Sequence, residues 1–281
     1  MKCWRTLVLI SAALMTWACP SQAALFDHST LDGILRHYVD QDGYVDYDSI
    51  RLNSMTALES YFETMAGTDL AGWPAAERRA FWINAYNAQV LYRVAQNSRL
   101  KKMSAAWWIL DRPFKVAGGM SSPIDIKRLL RKEGEPRILF SLSDGTLGGP
   151  KLCGTAYTAD NLDVLLQTNA SAFVNSPQNV KVEDGHLQLS KFFNWYARDF
   201  QKEGGVQAFI SELLNPNQRD DADLMRRLLT MAYRKTTFVY NWTFNDLKNK
   251  AVAAPRQTGL PDAVIPPDAF STSNPDLSKS Q

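Results

Sequence analysis

Asp144 heads a glycine-rich run, Asp144-Gly-Thr-Leu-Gly-Gly-Pro-Lys151, at the end of a short apolar stretch. A carboxylate there could act as acid, base or orienting group if burial raised its pKa toward neutrality. The same Asp-Gly pair also starts a turn in which the side chain accepts from its own backbone, and that turn context predicts little loss of stability for Asp144→Ala. Cys153 follows shortly after. It becomes a nucleophile where a histidine or another cation lowers its pKa; otherwise it is a small buried side chain. The three histidines, His28, His37 and His186, are all distant in sequence, so only the fold could bring one close. Asn84 and Asn87 lie three apart in Phe81-Trp-Ile-Asn-Ala-Tyr-Asn87 and share a helix face with Ala80, Ala88 and Leu91. Two amides on such a stripe either pin a loop to the helix or form the polar wall of a pocket.

Two aromatic segments add candidates: Phe192-Phe-Asn-Trp-Tyr-Ala-Arg-Asp-Phe200 and Val239-Tyr-Asn-Trp-Thr-Phe-Asn245. Aromatics at this density build core. On a helix Trp195 and Asp199 are i,i+4 neighbours, and Trp242 with Asn245 and Asp246 could line a cleft. The candidate ligand-binding set is Asn84, Asn87, Asp144, Trp195, Asp199 and Trp242, with Asp144 the one candidate catalytic group. The 144–151 run lacks the Gly-Lys-Ser/Thr and the immediate helix of a phosphate-cradling loop. Asp40-Gln-Asp-Gly-Tyr-Val-Asp46 places Tyr38 and Ser49 at the terminal positions that a calcium loop needs acidic, so it reads as a turn. No metal site and no cofactor is expected.

Residues 1–23 read as a secretory signal peptide. Lys2 and Arg5 form the charged start, residues 7–17 the apolar centre, and Ser21-Gln-Ala23 the small-x-small cleavage pattern. The apolar run is shorter than the roughly 20 residues of a spanning helix, and no later segment is long and apolar enough to span. Thr16-Trp17-Ala18 fits poorly before a lipid-bearing Cys19. A soluble periplasmic protein is therefore expected. Loss of the leader removes two basic residues and no acidic one, leaving 29 of each sign. A mature charge near zero argues against nucleic acid or an anionic membrane surface as the main partner. A small molecule, a peptide or an envelope protein remain as partners, and the oligomeric state is left open. One cysteine beyond the leader excludes an internal disulfide and a four-thiolate zinc site.

The elements that must position these residues read as α+β: a single helix-dominated domain over 24–250 with a small mixed or antiparallel sheet. A Pro-, Ala- and Ser-rich tail over 251–281 reads as disordered. Helices are expected at 29–37 with Ser29 as cap, at 52–64, at 74–96 with Pro74 in the first position, after the Ser122-Pro-Ile-Asp125 cap signal, and at 160–173, 190–200, 206–214 and 221–231. Strands are expected at 138–142 and 236–240, with a hairpin of 180–182 and 186–189 around Glu183-Asp-Gly185.

Taken together, these blocks resemble the family called domain of unknown function 547. The resemblance runs from Phe26-Asp-His-Ser29 and Tyr44-Val-Asp-Tyr47 through 81–87, Phe114-Lys-Val-Ala-Gly118, Ile124-Asp-Ile126 and Ala156-Tyr-Thr158 to the two aromatic segments. That family's strand and loop usually read His-Phe-Ala-Leu-Val-Cys-Gly followed by Cys-Pro. Aligned without gaps, Leu139 stands at the histidine, Asp144 at the first cysteine and Gly149 at the second, while Cys153 matches neither. The resemblance suggests kinship with thiol hydrolases, from whose reactive residues this chain departs. It implies an exported, non-catalytic binding or accessory protein. The alternative is a hydrolase or transferase with altered chemistry centred on Asp144.

Overall fold

The structure is a computed structural model describing residues 26–105, 108–183, 186–230 and 237–252. The expected signal peptide at 1–23, the hairpin turn at 184–185 and all but the first two residues of the 251–281 tail lie outside the described residues.

The first half is helical. α1 (Ser29–Tyr38), α2 (Tyr47–Asn53) and α3 (Met55–Ala66) lead to α4 (Ala75–Gln96), the core helix of the molecule. Residues 83–95 of α4 are all buried. A helix apolar all round must be covered on every side, and α2, α3, α5 (Trp108–Asp111) and α6 (Pro123–Arg131) pack against it. α6 opens on the expected capping box: the Ser122 hydroxyl accepts from Asp125 N and the Asp125 carboxylate from Ser122 N. Between α5 and α6 lies a hairpin of β1 (Phe114–Val116) and β2 (Gly119–Ser121). This hairpin was not expected from the sequence; its turn residues, Ala117 and Gly118, are both at positive φ.

The second half packs aromatics. α7 (Leu162–Asn175), α8 (Lys191–Trp195), α9 (Val206–Leu213) and α10 (Ala222–Thr230) surround a three-stranded mixed sheet. β3 (Val180–Glu183) pairs antiparallel with β4 (His186–Ser190), and β4 pairs parallel with β5 (Thr237–Val239). Phe140 sits at the centre, with the rings of Phe173, Phe192, Phe193, Phe200 and Phe209 at centroid distances of 5.1–6.2 Å. The α+β class with helix dominating is as the pattern implied.

Five expectations change. Pro74 is the N-cap of α4 and not its first residue. The apolar run at 138–142 is a 3-10 helix, Pro136–Ser141: Pro136 fixes the first turn and Glu135 caps it by accepting from Arg137 N at 3.1 Å. Ser29 is the first helical residue and not the cap, because Asp27 accepts from its backbone N–H. The helix expected at 52–64 is divided at Ser54 into α2 and α3. The helix expected at 190–200 breaks at Tyr196 into α8 and a 3-10 segment, Ala197–Glu203. Apolar periodicity does not reveal such breaks, since both pieces bury the same kind of face.

Candidate functional site

Residues 240–246 form an extended strap that carries Tyr240 to the glycine-rich loop. Leu147 N donates to Thr243 O, Gly148 N to Asn241 O, and Asn245 N to Gly145 O, all at 2.8–2.9 Å. On its other side Met103 N donates to Trp242 O and Phe244 N to Lys101 O. The loop can approach this closely because Gly148 has no side chain: a Cβ there would lie 2.5 Å from Asn241 N. Asn245 fixes the far end, accepting from Tyr47 Oη at 2.7 Å and donating to Gly43 O at 2.8 Å.

The strap closes on Asp144, which is 8% exposed. Asp144 Oδ1 accepts from Thr146 N at 3.0 Å and from Thr146 Oγ1 at 2.7 Å. Oδ2 accepts from Tyr240 Oη at 2.5 Å. Thr146 Oγ1 accepts from Gly149 N at 3.1 Å and lies 2.9 Å from Tyr240 Oη. Burial and then the Asp144 charge push the Tyr240 phenol well above its usual range, so it stays protonated and serves as a donor. Gly149 is required here as well. A Cβ at that position would stand 2.5 Å from Asp144 Oδ1 and 2.8 Å from Tyr240 Oη.

Beside Asp144 is a cavity of about 10 Å³, whose lining includes Lys127, Trp195, Tyr196 and Tyr240, with room for about one water. Lys127 is buried and donates to Tyr196 Oη at 3.3 Å. Trp195, Tyr240 and Trp242 form an aromatic triad with centroids 4.5–5.5 Å apart. The structure thus gathers Asp144, Trp195 and Trp242 from the candidate set. It places Asp199 elsewhere, because the break at Tyr196 turns it away from Trp195. Asp199 takes a two-pronged bond from Arg131, at 2.9 Å on each oxygen. Asn84 exchanges two bonds with the backbone of Tyr157, and Asn87 joins Ser141 O to Ser143 N. Both amides pin loops to α4 within the core. Asp246 pairs with Lys248 beyond the strap.

Sequence reasoning missed Tyr240, Thr146 and Lys127. Tyr240 was legible only as one of several aromatics, Thr146 only as a loop residue, and Lys127 only as a cation on α6. Tyr240 and Lys127 carried no local sign of a partner; for Thr146 the Asp-Gly turn pointed to its backbone N–H but not to its hydroxyl. Leu139 and Asp144 line separate cavities with no lining residue in common. The two positions therefore do not face each other across a shared cavity.

The outer face of the loop is more open. Thr146, Leu147, Gly149 and Lys151 border a pocket of about 300 Å³, with Tyr44, Ser176 and Gln178 among its other walls. Lys250, at its rim, pairs with Asp40 and Asp42, the carboxylates of the 40–46 turn. Cys153 is far from being an activated thiol: burial pushes its pKa up, and its charged neighbours are Asp32 and Arg36. His28 is held by Tyr61 Oη at 2.7 Å and pushed down to about 4 by burial. His37 is exposed on α1, and the side chain of His186 lies outside the described residues.

A family model described as "Protein of unknown function, DUF547" matches residues 70–174. The match spans α4 through most of α7 and contains Asn84, Asn87, Asp144 and Cys153. The strap with Tyr240 falls outside it. No curated protein and no solved structure matches this chain. No helix among the described residues is long and apolar enough to cross a membrane.

Proposed function

We propose that this chain is an exported binding protein whose 144–149 loop holds structure and makes no bonds in a substrate. One observation carries this. Both Asp144 oxygens are occupied, by Thr146 within its own turn and by Tyr240 from the strap. A general base needs a lone pair aimed at the proton it takes, and three of the roughly four acceptor sites of this carboxylate are aimed at buried donors.

The ligand then sits in the pocket of about 300 Å³ on the outer face of the loop, a volume at the lower end of small-molecule sites. Lys151 offers it an exposed ammonium with no ion pair among the described residues. Ser176, Gln178 and Tyr44 supply polar and aromatic contacts. Small polar molecules and short peptides fit this lining.

The test is thermal unfolding of the chain from residue 24 onward against divalent metals, peptidoglycan fragments, short peptides, amino acids and thiols. A ligand at 100 times its dissociation constant adds about 2.7 kcal/mol, or about 5–10 °C at this size. Lys151→Ala should abolish the shift. No shift across the panel would sink the small-molecule proposal, and an envelope protein partner would be sought by cross-linking.

A second function, a hydrolase or transferase using Asp144, draws on the one-water cavity beside that carboxylate. Turnover that survives Lys151→Ala but is lost in Asp144→Asn, with folding intact, would favour it.

Export itself is tested by amino-terminal sequencing of protein from the periplasmic fraction. The expected first residue is Ala24. Intact residues 1–23 on protein held in the cytoplasm would overturn it.

A further inference from the structure

A second cavity, of about 280 Å³, lies on another part of the surface, between the end of α6, the turn at 132–135 and the 3-10 segment Ala197–Glu203. Its lining carries four cations, Arg131, Lys132, Arg198 and Lys202, and two carboxylates, Glu135 and Asp199. Both carboxylates are already matched. Asp199 takes the two-pronged bond from Arg131. Glu135 accepts three bonds from Arg137, which is outside the lining. Lys132, Arg198 and Lys202 are left with no ion pair among the described residues.

The three cations also have a defined setting. Gly134 stands in the left-handed region at φ +68, and a Cβ there would lie 2.5 Å from the Lys202 ammonium. The bare turn therefore lets the ammonium lie over it at the cavity edge. Pro136, Ile138 and Leu139 make an apolar base beneath the charges. Cations with no partner around a concave apolar base attract an anion that carries some carbon, and an arginine fork suits phosphate or carboxylate.

We propose that this cavity is a binding site for a small organic polyanion, phosphorylated or polycarboxylate, held by Lys132, Arg198 and Lys202. It is separate from the pocket on the outer face of the 144–151 loop, so the two stand or fall independently.

The probes are citrate and glycerol phosphate, titrated at constant ionic strength and followed by thermal unfolding and isothermal calorimetry. At saturation each is expected to raise the Tm of the mature chain by several degrees with one site per chain. The double substitution R198A/K202A removes two exposed side chains and should fold normally while losing at least ten-fold in affinity. K115A, which removes an exposed cation on β1, should leave affinity unchanged. Shifts that persist in R198A/K202A, an equal loss in K115A, or no heat of binding with either probe would overturn the site. Binding of citrate alone identifies carboxylate as the ligand chemistry, and binding of glycerol phosphate alone identifies phosphate; either supports it.

Discussion

The contact between positions 144 and 149 can be measured with a double-mutant cycle. Asp144→Ala removes the acceptor for three buried donors: Thr146 N–H, Thr146 O–H and Tyr240 O–H. Tyr240 can turn its proton to Thr146 Oγ1, 2.9 Å away, which recovers one bond. Two donors then rely on water entering the vacated space. At about 1–3 kcal/mol per unsatisfied buried group, the net loss is about 3 kcal/mol. Gly149→Ala places a methyl 2.5 Å from Asp144 Oδ1 and 2.8 Å from Tyr240 Oη, so the carboxylate must leave its bonds. Overpacking of this kind costs about 2–3 kcal/mol. In the double variant the carboxylate is already gone and the methyl occupies part of its space. The combined loss should be about 3–4 kcal/mol, with a coupling of about 2 kcal/mol. Urea and thermal unfolding of the chain from residue 24 read all four corners, and Asp144→Ala alone should lower Tm by about 6–12 °C. Losses that add within about 0.5 kcal/mol, as independent sites do, would refute the contact. A fall below about 2 °C for Asp144→Ala would refute the buried network itself.

Asn84→Ala unpairs the N–H and the C=O of Tyr157 and should cost about 2–4 kcal/mol, measured by the same unfolding curves; a neutral effect would mean that the loop at 155–158 is held by other contacts. Stability should fall as pH drops from 6.5 toward 4. His28 is neutral in the fold down to about pH 4, whereas its unfolded form takes a proton near 6.5, so full stability is present above 6.5. The loss saturates below about pH 4 and amounts to about 3 kcal/mol. His28→Gln should flatten that limb, and an unchanged slope would remove His28 as its cause. Cys153 should react with iodoacetamide at least about ten-fold more slowly in the native chain than in denaturant, since burial raises its thiol pKa; equal rates at neutral pH would bring back an accessible thiol. In a D144C/G149C variant the native geometry suits a disulfide: the Asp144 Cγ lies 3.0 Å from where a Cβ on residue 149 would be, about the spacing from a Cβ to the far sulfur across an S–S bond. Thiol titration under denaturant should then find only Cys153 free before reduction, and three free thiols before reduction would argue against that geometry.

The sequence exposed some of this architecture more readily than the rest. Capping signals were legible because they are local: Ser122 and Asp125 satisfy each other within one turn. The hairpin of β3 and β4 was legible because alternation and turn residues sit side by side. The α4 amides were legible as neighbours, and the loop-pinning alternative matches where they lie. The Asp144 turn was read correctly as far as Thr146, which lies two residues away. The third donor, Tyr240, comes from 96 residues further along and was not legible, and with it the expected cost of Asp144→Ala rises. No local pattern announces a partner at that distance. The 3-10 helix at 136–141 misread as a strand for a related reason, since a short apolar run fits any buried element and Pro136 alone tipped the geometry.

The loop at 144–149 brings two distant-looking positions into one close contact. By resemblance, positions 144 and 149 are where the family carries two cysteines, and in this fold the two positions touch. Asp144 fills the space that a side chain on residue 149 would need, and Gly149 leaves that space open. The two residues are complementary: a side chain on 149 would clash with the carboxylate of Asp144, and Gly149 leaves room for it. Thr146 and Tyr240 then complete what a carboxylate requires and a thiol pair does not, a donor for each buried oxygen. The network joins the glycine-rich loop to the strap beneath the pocket on its outer face.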